Sequence, residues 1–332
     1  MRMTFSSVLV RGLLALGVVF TLPAMAAQKL EVIVFPGGFN WPLWVAEDNG
    51  FFEKNGVEVK ITPTPGSVYQ MQNLAAGKFD IAFSTIDNVV AYMEGQGEAP
   101  LPEPPDFFAF MGGQGGAVRL VAQPDIRTIA DLKGKKLAVD AATTGYAFVL
   151  RKLLQAGGLT EADYELERVG NTAQRAQALM ENKTAATILT SPLEIAPEAR
   201  GFRRLANAVD VIGPYQAVLG VARRSWAKSN EEALVGFIRA YVEALAWLED
   251  PANRAVAIAI YRGRLTQASD DAARKAWAVL VPGPEGFQKR GKLDRAGIET
   301  VLKLRSEFGL PQKALTDPDK YIDESYYRKA MQ

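Results

Sequence analysis

The sequence predicts an α/β fold of two lobes, each built around a mostly parallel sheet, with a cleft between them. Three observations support this prediction. A strand–helix–strand–helix–strand pattern occurs twice, a glycine-rich segment at 112–116 separates the two copies, and the chain is long enough for two domains. Strands that alternate with helices are typical of parallel sheets whose faces are covered by helices.

The first copy has predicted strands at Lys29–Phe35, Val57–Thr62 and Phe79–Phe83. Pro42 fits the first turn of the first connecting helix, because the N–H that proline lacks has no partner there in any case. Ser67 follows a turn rich in proline and glycine, and serine is a preferred N-cap residue. Ser67 is therefore predicted to be the N-cap of the second connecting helix.

The second copy has predicted strands at Lys136–Asp140, Tyr164–Val169 and Ala185–Leu189. The corresponding strand ends (35 and 140, 62 and 169, 83 and 189) are 105, 107 and 106 residues apart. Three nearly equal separations indicate an internal repeat.

The chain is expected to cross between the lobes twice. The first crossing is predicted at 112–116, because glycine tolerates large changes of φ and ψ, and the second near Gly213–Ala222. The predicted division is residues 27–112 together with 222–332 in lobe 1, and residues 113–221 in lobe 2. From Asn230 onward, apolar residues at i, i+3, i+4 and i+7 predict a helix that packs on the first lobe.

The N-terminus has the features of a signal peptide, predicted as residues 1–26. Arg2 and Arg11 are followed by the uncharged run Gly12–Leu22, and the small residues of Ala24–Ala26 allow cleavage before Ala27. The run is too short to cross a bilayer, which takes about 20 residues. No cysteine follows, so a lipoprotein is excluded, and the mature chain is expected in the periplasm.

The composition excludes several classes of function. Without Arg2 and Arg11 the chain has 36 basic and 37 acidic residues and no basic block, so no nucleic-acid partner is expected. It contains no cysteine and no histidine, which excludes thiolate nucleophiles, zinc–sulfur sites and Ser–His pairs. We therefore expect a protein that is not an enzyme and that has no catalytic residue, no metal and no cofactor. A monomer is also expected.

Ligands of open parallel sheets bind at the carboxyl ends of the strands. The loops at these ends are rich in Gly, Ser, Thr, Asn and aromatic residues. The residues expected to bind a small-molecule ligand are Phe39, Asn40, Trp41, Ser67, Tyr69, Ser84, Thr85 and Asp87 in the first copy, Thr143, Thr144, Tyr146, Asn171, Arg175 and Ser191 in the second, and Tyr215 near the second crossing.

Three predicted helix starts, at Ser67, Thr144 and Thr172, favour an anion, because free N–H groups and the helix dipole both attract negative charge. Arg175 is one turn beyond Asn171 and can give a bidentate contact to a carboxylate or sulfonate. Ser67, Thr144 and Thr172 are alternatively ordinary helix caps. Arg175 is alternatively a solvated arginine on the helix surface. The aromatic residues offer flat apolar faces to a ligand, although Trp44 is equally well placed in the core.

The chain resembles the ABC-importer solute-binding proteins of the nitrate/sulfonate/taurine and thiamine-pyrimidine-precursor group over nearly all of its mature length. The segments that carry this resemblance are Pro42–Val57, Asn73–Ala82, Asp131–Val139 and Asn230–Asn253. The resemblance implies a periplasmic-binding-protein-like (type II) fold with a hinge. It also implies capture of a small organic solute and delivery to an ABC permease in the inner membrane.

The ligand predicted from the residues is an organic anion, a carboxylate or sulfonate, with an aromatic or apolar body. Two alternatives stay open: a neutral or cationic heterocycle such as a thiamine precursor, held by Asp87 and the aromatic residues, and a ligand-sensing lobe for a membrane receptor. The first loop lacks the histidine that pyrimidine-precursor binders use, and the segment Glu181–Ala185 departs from the usual pattern of the relatives. Related eukaryotic pyrimidine synthases depend on His and Cys residues that this chain lacks.

Overall fold

The computed structural model describes residues 27–332, so the predicted signal peptide lies outside the described residues. The described chain forms two five-stranded sheets. The strands are β1 Gln28–Val34, β2 Val57–Pro63, β3 Ile81–Thr85, β4 Phe107–Gly112, β5 Val118–Ala122, β6 Lys135–Val139, β7 Tyr164–Arg168, β8 Ala186–Thr190, β9 Arg203–Asn207 and β10 Val218–Arg223.

Helices cover the faces of both sheets. They are α1 Trp41–Asp48, α2 Phe51–Lys54, α3 Ser67–Ala75, α4 Ile86–Met93, α5 Gly145–Ala156, α6 Thr172–Met180, α7 Ile195–Ala199, α8 Ala208–Ile212, α9 Arg224–Ser229, α10 Glu231–Glu249, α11 Arg254–Arg264, α12 Asp270–Leu280, α13 Arg295–Phe308 and α14 Ser325–Ala330. Between residues 27 and 332, none of these helices combines the length and the apolar character that a membrane span requires.

The two sheets have the same plan. The strand order is β2-β1-β3-β10-β4 in the first lobe and β7-β6-β8-β5-β9 in the second. In each lobe the three strands of the predicted repeat are parallel to one another. The predicted α/β fold with two lobes is therefore confirmed, and the observed strand bounds lie within two residues of the predicted ones.

The fourth strand in the order of each sheet is β10 in the first lobe and β5 in the second. Each is antiparallel to the strands beside it, and the chain reaches it from the other lobe. Strand β5 follows β4 of the first sheet and pairs with β8 and β9, whereas β10 comes after the second sheet and pairs with β3 and β4. The chain therefore crosses at residues 113–117 and again before Val218, at the start of the predicted range Gly213–Ala222. The residue-level division into domains stays a prediction.

The first crossing is constrained by close approach of the backbone. A Cβ atom at Gly112 would clash with the carbonyl oxygen of Lys292, and one at Gly113 would meet the carbonyl oxygen of Val218 at 3.0 Å. Glycine is the residue that allows such contacts. The close contact with the backbone of Lys292 therefore explains why position 112 is a glycine.

The core of the first lobe includes the predicted apolar stripe of α10. Leu234, Phe237, Ile238, Tyr241, Leu245 and Leu248 are at most 2% exposed. They belong to a cluster that also contains Trp41 and Trp44 of α1. The tryptophans of α1 thus stabilise the first lobe: the Trp41 indole N–H donates to the Ala257 carbonyl at 3.0 Å, and its ring lies 4.4 Å from the ring of Tyr261.

Candidate functional site

A cavity lies between the lobes, at the facing carboxyl ends of the two sheets. The volume of this cavity is about 30 Å³, far below the range of about 300–1,000 Å³ that is typical of small-molecule sites, so the two lobes lie close together around it. The lining residues are Phe35, Phe39, Ser67, Thr85, Asn88, Asp140, Thr144, Gly145, Tyr146, Thr172, Arg175, Thr190 and Val218. Both lobes contribute to it, as expected for a ligand site in paired α/β sheets. We call it the inter-lobe cavity.

Arg175 brings a buried positive charge to the inter-lobe cavity. Its side chain is 2% exposed, and its guanidinium donates to the carbonyl of Gly170 at 2.7 Å, to the Thr172 hydroxyl at 3.0 Å and to the carbonyl of Ile188 at 3.2 Å. These three bonds use only part of the five donors of a guanidinium. Burial lowers the pKa of Arg175, and the negative charge of Asp140 opposes this effect.

Asp140 brings a carboxylate to the same cavity. It follows β6 in the second lobe, and its Oδ2 accepts from the backbone N–H of Ser67, the first residue of α3 in the first lobe, at 3.0 Å. The N-cap of α3 is Gly66 and not Ser67 as predicted, and no side chain of α3 itself caps this helix. The predicted anion-binding donor at Ser67 is therefore already bonded to a carboxylate of the opposite lobe.

Asp87 lies in α4, outside the lining of the cavity. It is 1% exposed and forms an ion pair with Arg305, with Nε–Oδ1 and Nη2–Oδ2 distances of 2.6 and 2.9 Å. Its Oδ2 also accepts from the backbone N–H of Gly145 at the start of α5, at 2.6 Å. A second predicted anion site, the helix start beside Thr144, is thus also bonded to a carboxylate of the opposite lobe.

The structure brings six of the predicted ligand residues together in the inter-lobe cavity. They are Phe39, Ser67, Thr85, Thr144, Tyr146 and Arg175. Burial raises the pKa of Tyr146, and the neighbouring Thr190 side chain partly offsets this effect. Among the described residues the Tyr146 hydroxyl makes no hydrogen bond of good geometry. This hydroxyl is therefore a polar group of the cavity that a ligand can satisfy.

Two other predicted residues connect the lobes instead of lining the cavity. Asn171 caps α6 and donates through Nδ2 to the carbonyls of Thr64 and Pro65 in the first lobe, at 3.2 and 3.3 Å. The Thr143 hydroxyl donates to Glu98 at 2.5 Å.

The remaining predicted residues lie around the cavity or away from it. Asn40 and Trp41 donate to backbone carbonyls of the first lobe, the Ser84 hydroxyl accepts from Asn88, and the Ser191 hydroxyl donates to Glu194. Tyr69 is 46% exposed, and the buried ring of Tyr215 lies 6.2 Å from the ring of Tyr146.

Seven lining residues were not among the residues predicted to bind the ligand: Phe35, Asn88, Asp140, Gly145, Thr172, Thr190 and Val218. Phe35 and Asp140 were placed at the ends of predicted strands, and they are the equivalent positions of the two copies, 105 residues apart. The repeat was thus the signal that could have identified both. Among residues 27–332, no group of three or more His, Cys, Asp or Glu side chains is positioned to hold a metal ion.

Comparison with known proteins places the chain in a family. The sequence profile described as "NMT1/THI5 like" matches residues 40–254, which is more than half of the chain. The Bacillus subtilis (strain 168) protein YtlA, which carries a binding-protein name, is 26% identical over 261 residues, covering 75% of this chain and 77% of YtlA.

Solved structures share the fold at low sequence identity. A ligand binding component of an ABC-type import system from Staphylococcus aureus has a TM-score of 0.72 and 14% identity, covering 91% of this chain and 99% of the other. The alkanesulfonate-binding protein SsuA from Xanthomonas axonopodis pv. citri, bound to MOPS, has a TM-score of 0.69 and 17% identity, covering 90% and 99%. With its two lobes of one plan and its inter-lobe cavity, the chain belongs to the NMT1/THI5-like family and has the periplasmic-binding-protein fold.

Proposed function

We propose that this protein is a periplasmic solute-binding protein that captures a small organic solute and delivers it to an ABC permease, without catalysing a reaction. The observation that supports this function best is the inter-lobe cavity, since residues of both lobes line it and a solute bound there contacts both. Family membership and the fold shared with a component of an ABC-type import system support the same function.

The ligand that we propose is an organic anion, a carboxylate or sulfonate, with an aromatic or apolar body. Arg175 offers a buried guanidinium whose protein partners are carbonyls and a hydroxyl rather than a carboxylate. A hydrogen bond to a charged group contributes about 1.5–3 kcal/mol. Phe35, Phe39 and Val218 give the cavity an apolar wall, which favours an organic body over a bare inorganic anion.

A neutral or cationic heterocycle is the second candidate, because Asp140 brings a carboxylate to the same cavity. In the sequence this ligand was assigned to Asp87, but Asp87 is bonded to Arg305 and Gly145. Asp140 is therefore the acidic residue through which such a ligand would bind.

Native mass spectrometry of protein purified from its own periplasm should reveal a retained small organic molecule. Titration calorimetry can then compare carboxylates and sulfonates that carry an aromatic or branched group with their neutral amides. We expect the acids to bind more tightly than the amides, by about tenfold or more for one charge-assisted bond. Amides that bind as tightly as the acids would contradict the anion assignment.

Arg175→Lys tests the guanidinium itself, because lysine keeps the charge but lacks the planar fork of donors. Arg223→Lys, at the far end of β10, is the matched control. We expect weaker acid binding only in Arg175→Lys, with both variants folded as judged by their melting temperatures. Equal affinities of Arg175→Lys and wild type for the acids would contradict the role of Arg175.

A further inference from the structure

The inter-lobe cavity presents one charge of each sign to a ligand. Of the residues that line it, Arg175 and Asp140 carry the charges. Arg175 lies in α6, and Asp140 directly follows β6. The buried charges of Asp87 and Arg305 nearby form an ion pair with each other. They therefore leave no excess charge for a ligand, and the balance at the site is set by Arg175 and Asp140.

These two charges face the same cavity without a hydrogen bond to each other in the described part of the chain. The charge of Asp140 raises the pKa of Arg175 and so opposes the effect of burial. The hydrogen bonds of the Arg175 guanidinium go instead to uncharged oxygens of Gly170, Thr172 and Ile188. Those bonds hold the guanidinium in place and leave part of its five donors for a ligand.

The Asp140 carboxylate also keeps capacity to accept hydrogen bonds. Its Oδ2 accepts from the backbone N–H of Ser67 at 3.0 Å. Its Oδ1 lies beside Gly66, where a Cβ atom would approach it to 3.0 Å. A carboxylate has about four acceptor positions, so the bond from Ser67 leaves room for a donor of the ligand.

A ligand with a single charge meets one of these two residues unfavourably. An anion bound to Arg175 places its charge near Asp140, and a cation bound to Asp140 places its charge near Arg175. Such repulsion is stronger in a cavity that excludes water than at the surface, and a buried charge is costly unless it is paired. A ligand that carries both charges satisfies both residues.

We propose that the solute is a zwitterion, an organic molecule whose carboxylate or sulfonate group binds Arg175 and whose protonated amine binds Asp140. This assignment rests on the proposed function, because it specifies the solute that the inter-lobe cavity captures. It requires in one molecule the two groups that an anion and a cationic heterocycle offer separately. Asp140 then selects against anions that lack the amine.

Two sets of matched compounds test this assignment. The first set is phenylalanine, hydrocinnamate, which lacks the amine, and phenethylamine, which lacks the acid group. The second set is para-(aminomethyl)benzoate, para-toluate and para-methylbenzylamine, in which the two groups are further apart. Solute retained from the cell is first removed by unfolding in guanidinium and refolding. Titration calorimetry at neutral pH then measures the affinity of each compound.

We expect a compound with both groups to bind at least about tenfold more tightly than either of its matched compounds, as one hydrogen bond to a charged group implies. Asp140→Asn should weaken binding of this zwitterion by a similar factor. The same variant should leave binding of the matched acid unchanged or strengthen it, because asparagine keeps the shape of aspartate and removes its charge. Damage to the fold or to the shape of the cavity would weaken both.

Asp250→Asn is the matched control for this substitution. Asp250 also accepts from a backbone N–H, that of Ala252 at 2.9 Å, but it is not among the residues that line the cavity. It should therefore change neither the affinity for the zwitterion nor the affinity for the acid. If Asp140→Asn weakens binding of both compounds alike, Asp140 does not select for the amine.

The remaining outcomes separate the zwitterion from the proposed function. Hydrocinnamate or para-toluate binding as tightly as its amine-bearing counterpart would overturn the zwitterion and leave an anion-binding protein. Tightest binding of the amines without an acid group would overturn the zwitterion and the anion alike. A solute without an amine, retained by the native protein and identified by mass spectrometry, would also overturn the zwitterion. If none of the six compounds binds and no solute is retained, the proposed function fails as well.

Discussion

The carboxyl group of Glu194 is buried at the beginning of α7. It is 1% exposed, its Oε1 accepts from the Ser191 hydroxyl, and its Oε2 has no hydrogen-bond partner among the described residues. Arg204 is 3.9 Å from Oε1. Burial raises the pKa of Glu194 above its usual value, and the hydrogen bond from Ser191 and the charge of Arg119 only partly offset this effect.

We expect Glu194→Gln to gain stability relative to wild type as pH rises. A carboxyl group whose pKa is higher in the folded state binds its proton more tightly there, so its contribution to folding is largest below the unfolded value, about 4.5. This contribution is lost as pH rises through the raised pKa, and glutamine has no such dependence. Urea unfolding between about pH 4 and pH 8 measures the difference between the two proteins. A difference that does not change with pH would contradict the prediction.

The carboxylates Asp87 and Asp140 mark the limit of sequence reasoning at the residue scale. The repeat predicted that the loops after the strands meet, and Arg175 was identified because it lies one turn beyond a predicted helix cap. The partner of Asp87, however, is 218 residues away in α13, and no local pattern connects the two. Which carboxylate lines the cavity depends on packing between distant segments, and that packing is visible only in the folded chain.

Helix α10 has a glycine in its interior because another backbone segment passes close to it. A Cβ atom at Gly236 would clash with the carbonyl oxygen of Asn55. Gly263 in α11 is the opposite case, since it is exposed and a Cβ there would meet no atom within 4 Å. Alanine is favoured over glycine in a helix by about 0.8–1 kcal/mol when nothing else changes.

We therefore expect opposite effects of the same substitution in the two helices. Gly236→Ala should destabilise the protein by about 1–3 kcal/mol, as overpacking of a well-packed region does. Gly263→Ala should stabilise it by up to about 1 kcal/mol. Thermal and urea unfolding measure both. If Gly236→Ala is as stable as Gly263→Ala, the contact with Asn55 does not explain the glycine in α10.

The elements of the internal repeat could be predicted because their apolar runs are short, clearly bounded and present twice. Strand β9 was not predicted. It contains Arg203 and Arg204, none of its residues is fully buried, and it lies at the edge of its sheet. An edge strand of this kind lacks the apolar pattern that identifies a buried one. The antiparallel direction of β5 and β10 was also not predicted, because it follows from the crossings between the lobes and not from a local sequence pattern.

At the scale of the whole molecule, export is a prediction that the described residues leave untested. We expect the periplasmic protein to begin at Ala27, because Ala24–Ala26 offers the small residues that a signal peptidase accepts. N-terminal sequencing of periplasmic material is the measurement. As a control, Ala24→Arg and Ala26→Arg together should block cleavage. Periplasmic protein that retains Met1 would contradict this prediction.

The two crossings also set the order in which the lobes can be completed during synthesis. All strands of the second sheet lie between residues 118 and 207, so this lobe is contiguous in the chain. The first sheet stays incomplete until β10, at Val218–Arg223, takes its place between β3 and β4. As the chain emerges from its N-terminus onward, the later-encoded lobe therefore has all its strands available first. Strands β1–β4 cannot form the complete first sheet until β10 has been synthesised. By then all strands of the second lobe have already emerged.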